Sequence, residues 1–266
     1  MQKEPLVSII VACHNAENFI DNCLKALINQ TYKNIEIIVC DDASTDRSIA
    51  LLRDWAEKDS RIIVLYNKDN LFAAATRNRC FDIAKGEYYC IQDIDDISKS
   101  DRIEKLVREI QTDNVDFVSS SMQCFNESNG IQNKIISHKQ YPSKWAFLWG
   151  ISFCHPATLF TKECIMDVGG YRVSQDTRRC QDYDMFMRLY AKGYKGKNIS
   201  ESLYLYRLDE DTKKRGANYA AAMCEYNVRK YGFKVLALPY ILRKLCALKP
   251  LIAYAYQLLL CKCSIK

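Results

Sequence analysis

Glycine is scarce in this chain: there are 9 in 266 residues, and the first is Gly86. Glycine-rich phosphate cradles need residues without a Cβ where backbone meets phosphate. Nothing behind the first apolar run can therefore form a G-x-G-x-x-G turn or a P-loop, which argues against a dinucleotide-binding dehydrogenase or a P-loop kinase. A nucleotide here must be held by side chains and a metal. Only 3 histidines occur, and none of the 13 cysteines belongs to a Cys-x-x-Cys pair, so no zinc site is expected. No apolar run reaches the ~18 residues that a membrane-spanning helix needs; the longest candidate, between Lys249 and Lys262, is too short. Met1 to Leu6 is charged and lacks an apolar core. No secretory leader is expected, and the cysteines read as reduced thiols in a cytoplasmic protein. Acidic residues are absent from 234 to 266, where Lys234, Arg243, Lys244, Lys249, Lys262 and Lys266 account for the whole formal charge of +6. The body of the chain is thus neutral overall, and no nucleic-acid partner is expected. The basic, apolar tail instead suits an anionic membrane surface.

What is present reads as a globular α/β protein. Hydrophobic residues make up 48% and charged residues 26%, enough for a sizeable core. Leu6–Cys13 is a continuous apolar run, as in a strand buried on both faces. Asn15 offers a helix cap, and Phe19, Ile20, Cys23, Leu24, Leu27 and Ile28 follow at helical spacing. The pattern repeats: strand Ile35–Cys40, a helix capped by Ser44 or Thr45, strand Ile62–Tyr66, a helix over Ala73–Lys85 closed by Gly86, strand Tyr88–Gln92, and a helix through Ile103–Ile110. Alternation of this kind predicts a mostly parallel central sheet flanked by helices. The second half is less regular. Phe117–Phe125 reads as extended, Gly130–Ser143 as loop, Ala157–Phe160 as a short strand, Asp182–Ala191 as a helix stopped by Gly193, Leu203–Leu208 as extended, and Ala217–Tyr231 as helical.

In parallel sheets, ligands bind beyond the carboxyl ends of the strands. Two acidic clusters fall there: Asp41-Asp42 after the second strand and Asp93-Ile94-Asp95-Asp96 after the fourth. Three carboxylates in four residues repel one another unless a cation neutralises them. Hard oxygen ligands suit Mn²⁺ or Mg²⁺. On this motif alone an acidic loop capping the next helix is an equal alternative.

The surroundings shift that balance, because the chain resembles the family-2 glycosyltransferases, which have the GT-A fold. The likeness is carried by Leu6-Val7-Ser8-Ile9-Ile10-Val11, by Asn29-Gln30-Thr31-Tyr32-Lys33-Asn34 running into the second strand, and by Asp41-Asp42-Ala43-Ser44-Thr45-Asp46. It continues in Ala75-Thr76-Arg77-Asn78, Gly86-Glu87-Tyr88, Asp93-Ile94-Asp95-Asp96 and Gln181-Asp182-Tyr183-Asp184. Several motifs in order are more specific than any one. The resemblance implies that Asp42 accepts a hydrogen bond from the donor base, with Ala12, His14 and Asn15 lining the same pocket. Arg77, Asn78 and Asp93 would lie near the nucleotide sugar. Asp95 and Asp96 match the metal- and ribose-contacting acids. Asp182 matches the general base for the acceptor hydroxyl, although the family usually has Glu where this chain has Gln181. Asp184 would support the site or cap its helix. His155 reads as either an acceptor-side residue or, by preference, a buried structural histidine, and Trp145, Phe147 and Trp149 as either a sugar-stacking surface or, more often for such a cluster, core.

The expected organisation is a GT-A catalytic domain over 1–232, with a nucleotide-binding half to about 115 and an acceptor-binding half over 116–232, followed by a basic helical appendage over 233–266. The expected activity is inverting transfer of a sugar from a nucleotide-diphosphate donor, UDP-linked, to a glycan or lipid-linked acceptor at the cytoplasmic face of the membrane. Two alternatives stand beside it: an inactive sugar-nucleotide-binding or scaffold homologue, and a sugar nucleotidyltransferase. The second would be expected to carry a glycine-rich basic signature at the first strand, which is absent.

Overall fold

The computed structural model describes residues 4–126, 128, 130–208 and 218–263. Elements alternate through the first half: β1 (Val7–Cys13), α1 (Ile20–Ile28), β2 (Ile35–Asp41), α2 (Ser48–Lys58), β3 (Ile62–Tyr66), α3 (Phe72–Ile83), β4 (Tyr88–Asp93), β5 (Ile97–Ser98) and α4 (Arg102–Asp113). The second half contains β6 (Phe117–Asn126), β7 (Gly130–Ile136), β8 (Thr158–Thr161), α5 (Lys162–Asp167), α6 (Gln181–Ala191), β9 (Gly196–Arg207), and then three helices, α7 (Tyr219–Val235), α8 (Tyr240–Ala247) and α9 (Lys249–Cys263).

The strands form one sheet in the order β3-β2-β1-β4-β8-β6-β9-β5, with β7 hairpinned onto β6. The β3-β2-β1-β4 block is parallel. Beyond it directions mix: β8 runs antiparallel to both β4 and β6, while β9 runs parallel to β6. The buried strands alternate their side chains between two cores, as the two-residue strand period requires. Ile10, Ile38 and Cys40 face one core, closed by Phe81 of α3, Phe186 of α6 and Val228 and Phe233 of α7. Ile9, Val11, Ile37 and Val39 face the other, closed by Leu24 and Leu27 of α1, Leu52 of α2 and Leu106 and Ile110 of α4.

Several local expectations give way to better-satisfied alternatives. Asn15 does not cap α1, whose first turn starts only at Ile20 after Phe19. It adopts φ +48° and accepts the Thr45 backbone N–H at 2.8 Å, tying the loop after β1 to the loop after β2. Ser44 is likewise no helix cap: α2 begins at Ser48, and the Ser44 hydroxyl donates to Asp41 at 2.5 Å. Gly86 does not close α3, which ends at Ile83 with an extended Ala84. Its constraint is space: a Cβ there would sit 2.5 Å from Ser8 Oγ and 2.6 Å from Ser8 N. The Gly86 N–H donates to that hydroxyl at 2.8 Å, and the hydroxyl donates to buried Glu36 at 2.6 Å. The segment read as loop contains β7, an edge strand whose mostly exposed residues carry no apolar alternation. Ala217 lies outside the described residues.

The C-terminal segment is anchored to the domain. Buried Arg229 of α7 donates to the Leu148 carbonyl at 3.0 Å and to the Cys246 carbonyl at 3.4 Å, and Leu236, Leu238 and Ala247 enter the core. Helix α7 runs through residue 232 to Val235. Among the described residues no helix is long and apolar enough to cross a membrane.

Gly86→Val should force β1 and β4 apart at Ser8 and cost at least about 2 kcal/mol. Urea unfolding checks this, and an unchanged midpoint would refute the packing role.

Candidate active site

Parallel register brings three strand ends together. Ala12 pairs with Cys40 of β2 and with Asp93 of β4, and Cys13 pairs with Asp41. A cavity of about 320 Å³ opens at this edge, lined by Ala12, His14, Asn15, Asp42, Arg77, Asp93 and Asp95, with Phe19, Tyr206 and Arg207 on its wall. Seven of the residues singled out in the sequence thus share one cavity. Asn78, Asp96 and Asp182 do not line it.

Asp42 is buried and held on one side. Its Oδ1 accepts from Asn67 Nδ2 at 2.7 Å and from the Leu71 N–H at 2.8 Å, and no described hydrogen bond goes to Oδ2. A carboxylate fixed at one oxygen can offer the other to a ring N–H. His14 sets the opposite wall. Its Nδ1 lies 2.8 Å from the Asp42 carbonyl, and Nε2 lies 3.2 Å from the Asn70 amide nitrogen. This arrangement fits the tautomer with its proton on Nδ1, donating to the carbonyl and accepting at Nε2. The ring is therefore fixed in orientation, as a stacking surface requires. Sequence reasoning did not find Asn67, Asn70 or Leu71, because they lie in an ordinary polar loop. The loop carries one signal of strain: Phe72, a bulky residue at φ +64°. Its ring lies 3.3 Å from the Arg178 guanidinium carbon, joining this rim to the loop before α6.

The acidic cluster is braced by two arginines. Arg77 Nη2 donates to Asp93 Oδ1 at 2.5 Å. Burial disfavours the Arg77 charge, but Asp93 and other acids outweigh it and the pKa moves up. Its Nε and Nη1 are buried without a hydrogen-bond partner. A cation on an otherwise acid-lined cavity wall suits an anionic ligand. Arg207, at the end of β9, donates its backbone N–H to Asp96 Oδ1 at 2.7 Å and its Nε to the Asp95 carbonyl at 2.8 Å. Its guanidinium is sandwiched between Phe19 and Phe125, at 4.5 and 4.8 Å from the ring centroids. Arg207 lies more than a hundred residues beyond the cluster it braces, and no local pattern marks it.

Asp95 lines the cavity, whereas Asp96 is buried behind it. Burial, with Asp95 and Asp93 adding to it, raises the Asp96 pKa well above the usual carboxylate range. Its Oδ2 has no partner. Among the described residues no group of three or more His, Cys, Asp or Glu side chains is placed to hold a metal. The donor set nevertheless fits Mn²⁺ or Mg²⁺, which commonly bind through one or two carboxylates and take their remaining ligands from water and phosphate.

Asp182 is half-buried in the first turn of α6, and its Oδ1 accepts the Tyr183 N–H at 2.8 Å. Desolvation raises its pKa, with Arg77 opposing and Asp93 reinforcing the shift, so it lies within electrostatic reach of both. Asp184 points elsewhere. Fully buried, it accepts from Arg172 Nη2 and from Arg188 Nε, each at 2.7 Å, and locks α6 to the preceding loop. Asn78 is also a brace, donating to the Tyr171 carbonyl and accepting the Tyr171 N–H, both at 2.8 Å. Adjacent Gly170 has φ +65°, and a Cβ there would meet Asn78 Oδ1 at 2.6 Å. His155 is buried against the Tyr171 hydroxyl at 2.6 Å, with its pKa pushed down to about 3 by burial, as its structural reading implies. The aromatic cluster divides: Phe147 is core, while Trp145 and Trp149 are exposed.

The mixed sheet flanked by helices is that of a GT-A fold, and similarity to known proteins makes the chain a glycosyltransferase. Residues 8–167 match the family model described as Glycosyl transferase family 2. The chain is 34% identical over 217 residues to EpsE of Bacillus subtilis strain 168, covering 81% of this chain and 77% of that protein. It is 32% identical over 204 residues to the Escherichia coli UDP-Glc:α-D-GlcNAc-diphosphoundecaprenol β-1,3-glucosyltransferase WfaP, covering 76% and 77%. Among solved structures, S. aureus TarS 1–349 with UDP superposes with a TM-score of 0.67 at 16% identity, covering 87% of this chain and 69% of that one. The Pyrobaculum calidifontis mannosyltransferase PcManGT with GDP-Man and Mn²⁺ gives 0.64 at 17%, covering 99% and 81%. The chain belongs to glycosyl transferase family 2.

Asn78→Ala should strip both hydrogen bonds from the Tyr171 backbone and cost about 1–3 kcal/mol of stability. UDP affinity of the folded variant, measured by calorimetry, should stay within threefold of wild type. A loss on the scale of Asp42→Ala would return Asn78 to the nucleotide site.

Proposed function

We propose that this protein is an inverting glycosyltransferase that moves a hexosyl group from a UDP-sugar to a hydroxyl of a glycan or lipid-linked acceptor, in polysaccharide or lipopolysaccharide assembly. The observation that carries the reading is the convergence of Asp42, Arg77, Asp93 and Asp95 on one cavity at the carboxyl edge of the parallel block. Asp42 receives the base N–H, with His14 and Ala12 beside the ring. Asp93 accepts from ribose, and the positive charge of Arg77 on the cavity wall attracts anionic oxygen. Asp95, with Asp96 behind it, would hold Mn²⁺ or Mg²⁺, which would supply positive charge for the diphosphate. The WfaP relative, whose name gives a UDP-linked donor and a diphosphoundecaprenol-linked acceptor, supports the donor and acceptor classes. The basic tail supports work at the cytoplasmic membrane face, as a peripheral protein.

Asp182 takes the proton of the acceptor hydroxyl as its oxygen attacks the anomeric carbon. The bond from that carbon to the diphosphate oxygen breaks, and its electron pair leaves with the nucleotide. Attack comes from the face opposite the leaving group, so the configuration inverts. A base with a raised pKa suits this role near neutral pH. Gln181 in place of the family's usual Glu removes one negative charge beside Asp182 and leaves the base itself in place.

UDP with Mn²⁺ should raise the melting temperature by roughly 5 °C at a hundredfold excess over Kd. The shift should vanish with EDTA and in Asp95→Ala; a full shift in Asp95→Ala would remove the metal assignment. Asp182→Asn should lower kcat by about 10²–10⁴-fold with the UDP shift intact. In wild type, Asp182 must be ionised to act, and its pKa is raised. kcat/KM should therefore fall on the acid side at a pH above the ordinary aspartate value. An acid limb that persists in the residual activity of Asp182→Asn would assign it to another group.

A further inference from the structure

We infer that the pocket between α7 and α8 binds the phosphate of an anionic lipid headgroup, and that the apolar ridge beside it seats the protein on the bilayer. The inference rests on the membrane contact proposed above for its occupant, and owes nothing to the chemistry at Asp182. A cavity of about 310 Å³ is lined by Tyr226, Lys230 and Lys234 from α7 and by Tyr240, Arg243 and Lys244 from α8. On each helix these positions recur three or four residues apart, so two stripes of one sign face each other. Its wall carries four cations and no acid. Such a cluster is unfavourable until an anion enters it. Arg243 and Lys244 both lie over the Tyr240 ring, at 5.7 and 5.4 Å from its centroid, which gathers their charge at one wall.

Charge alone would suit any phosphate. The neighbouring surface selects a lipid. One step round α8 from the pocket face, Ile241 and Leu245 are 70% and 62% exposed, and Leu248 continues the same row. On α9, Ile252 and Tyr256 are exposed one turn apart. A soluble phosphate needs no apolar ridge beside its site. An anionic bilayer uses both, with the ridge entering the acyl boundary while the cations meet headgroups. The underside of this unit is tied down by Arg229, Leu236, Leu238 and Ala247, so the ridge is presented by a fixed platform.

Sedimentation of the full chain with vesicles tests this, using phosphatidylcholine alone and phosphatidylcholine mixed with phosphatidylglycerol. Wild type should bind the mixed vesicles and not the neutral ones. R243Q/K244Q should bind roughly 30-fold more weakly, and I241S/L245S should also lose binding. Both variants should keep the UDP–Mn²⁺ melting shift, which reports an intact donor site and fold. Inorganic phosphate should compete no better than chloride of equal ionic strength. Wild-type binding by R243Q/K244Q would overturn the pocket while leaving the membrane contact standing, and wild-type binding by I241S/L245S would overturn the ridge. Release by inorganic phosphate at matched ionic strength would make the pocket a soluble-anion site and overturn the lipid. Failure of wild type to bind either vesicle would overturn both the pocket and the membrane contact, with the donor-site reading untouched.

Discussion

The structure is organised around a cost: three carboxylates within four residues at the end of β4, two on a cavity wall and one buried behind it. Like charges this close raise each other's pKa and resist burial. Two arginines make the arrangement tenable. Arg77 reaches Asp93 from α3, while Arg207 grips Asp95 and Asp96 through backbone and side chain from the end of β9. Arg77 keeps two nitrogens without partners, and Asp96 keeps one bare oxygen. These atoms are buried, so they bear on the cavity through their charge and not by direct contact.

That cluster also explains why the two halves of the sheet must join as they do. The parallel block alone supplies Ala12, Asp42 and Asp93 at adjacent register. It cannot close the cavity on the Arg207 side, and it does not carry Asp182. Antiparallel β8 turns the sheet so that β6 and β9 extend it, and β9 pairs back onto β5 beside the acidic cluster. Helix α6 then presents Asp182, held in place because Asp184 two residues on is clamped by Arg172 and Arg188. The buried ion pairs of α6 and the half-buried acid before them have different tasks, although they look alike in sequence.

Legibility followed how local each constraint was. β1, β2 and β4 announce themselves as apolar runs because they are buried on both faces, and the acids that follow them had to fall at the carboxyl edge. β7 and β5 did not, since an exposed edge strand and a two-residue strand owe their form to partners. Asn15, Ser44 and Thr45 are good caps by type, yet they form cross-loop bonds, because tying the β1 and β2 loops together satisfies more polar groups than starting a helix. Adjacent residues also diverged. Arg77 faces the cavity and Asn78 the Tyr171 backbone, as one step along a helix turns a side chain by about 100°. Asp95 and Asp96 split the same way between wall and interior. Arg207 was invisible because its importance lies in a contact across more than a hundred residues.

The distribution of charge separates chemistry from placement. Asp42, Asp93 and Asp95 line the cavity beside Arg77 and Arg207, so charges of both signs face one another there and the field is local. In the sequence the excess positive charge falls past residue 233, and the helices described there have Leu236, Leu238 and Ala247 in the core and Lys234, Lys244, Ile241 and Leu245 exposed. Because Arg229 ties α7 to the Leu148 and Cys246 carbonyls, force on that outer side is borne by the back of the domain. The cavity at the carboxyl edge, whose walls come from the ends of β1, β4 and β9, the loops after β1, β2 and β4, and α3, does not share those residues. The charge and the apolar row of the C-terminal helices can then change without disturbing the register that sets Ala12 between Cys40 and Asp93, which is why the tail can be so unlike the rest of the chain in composition.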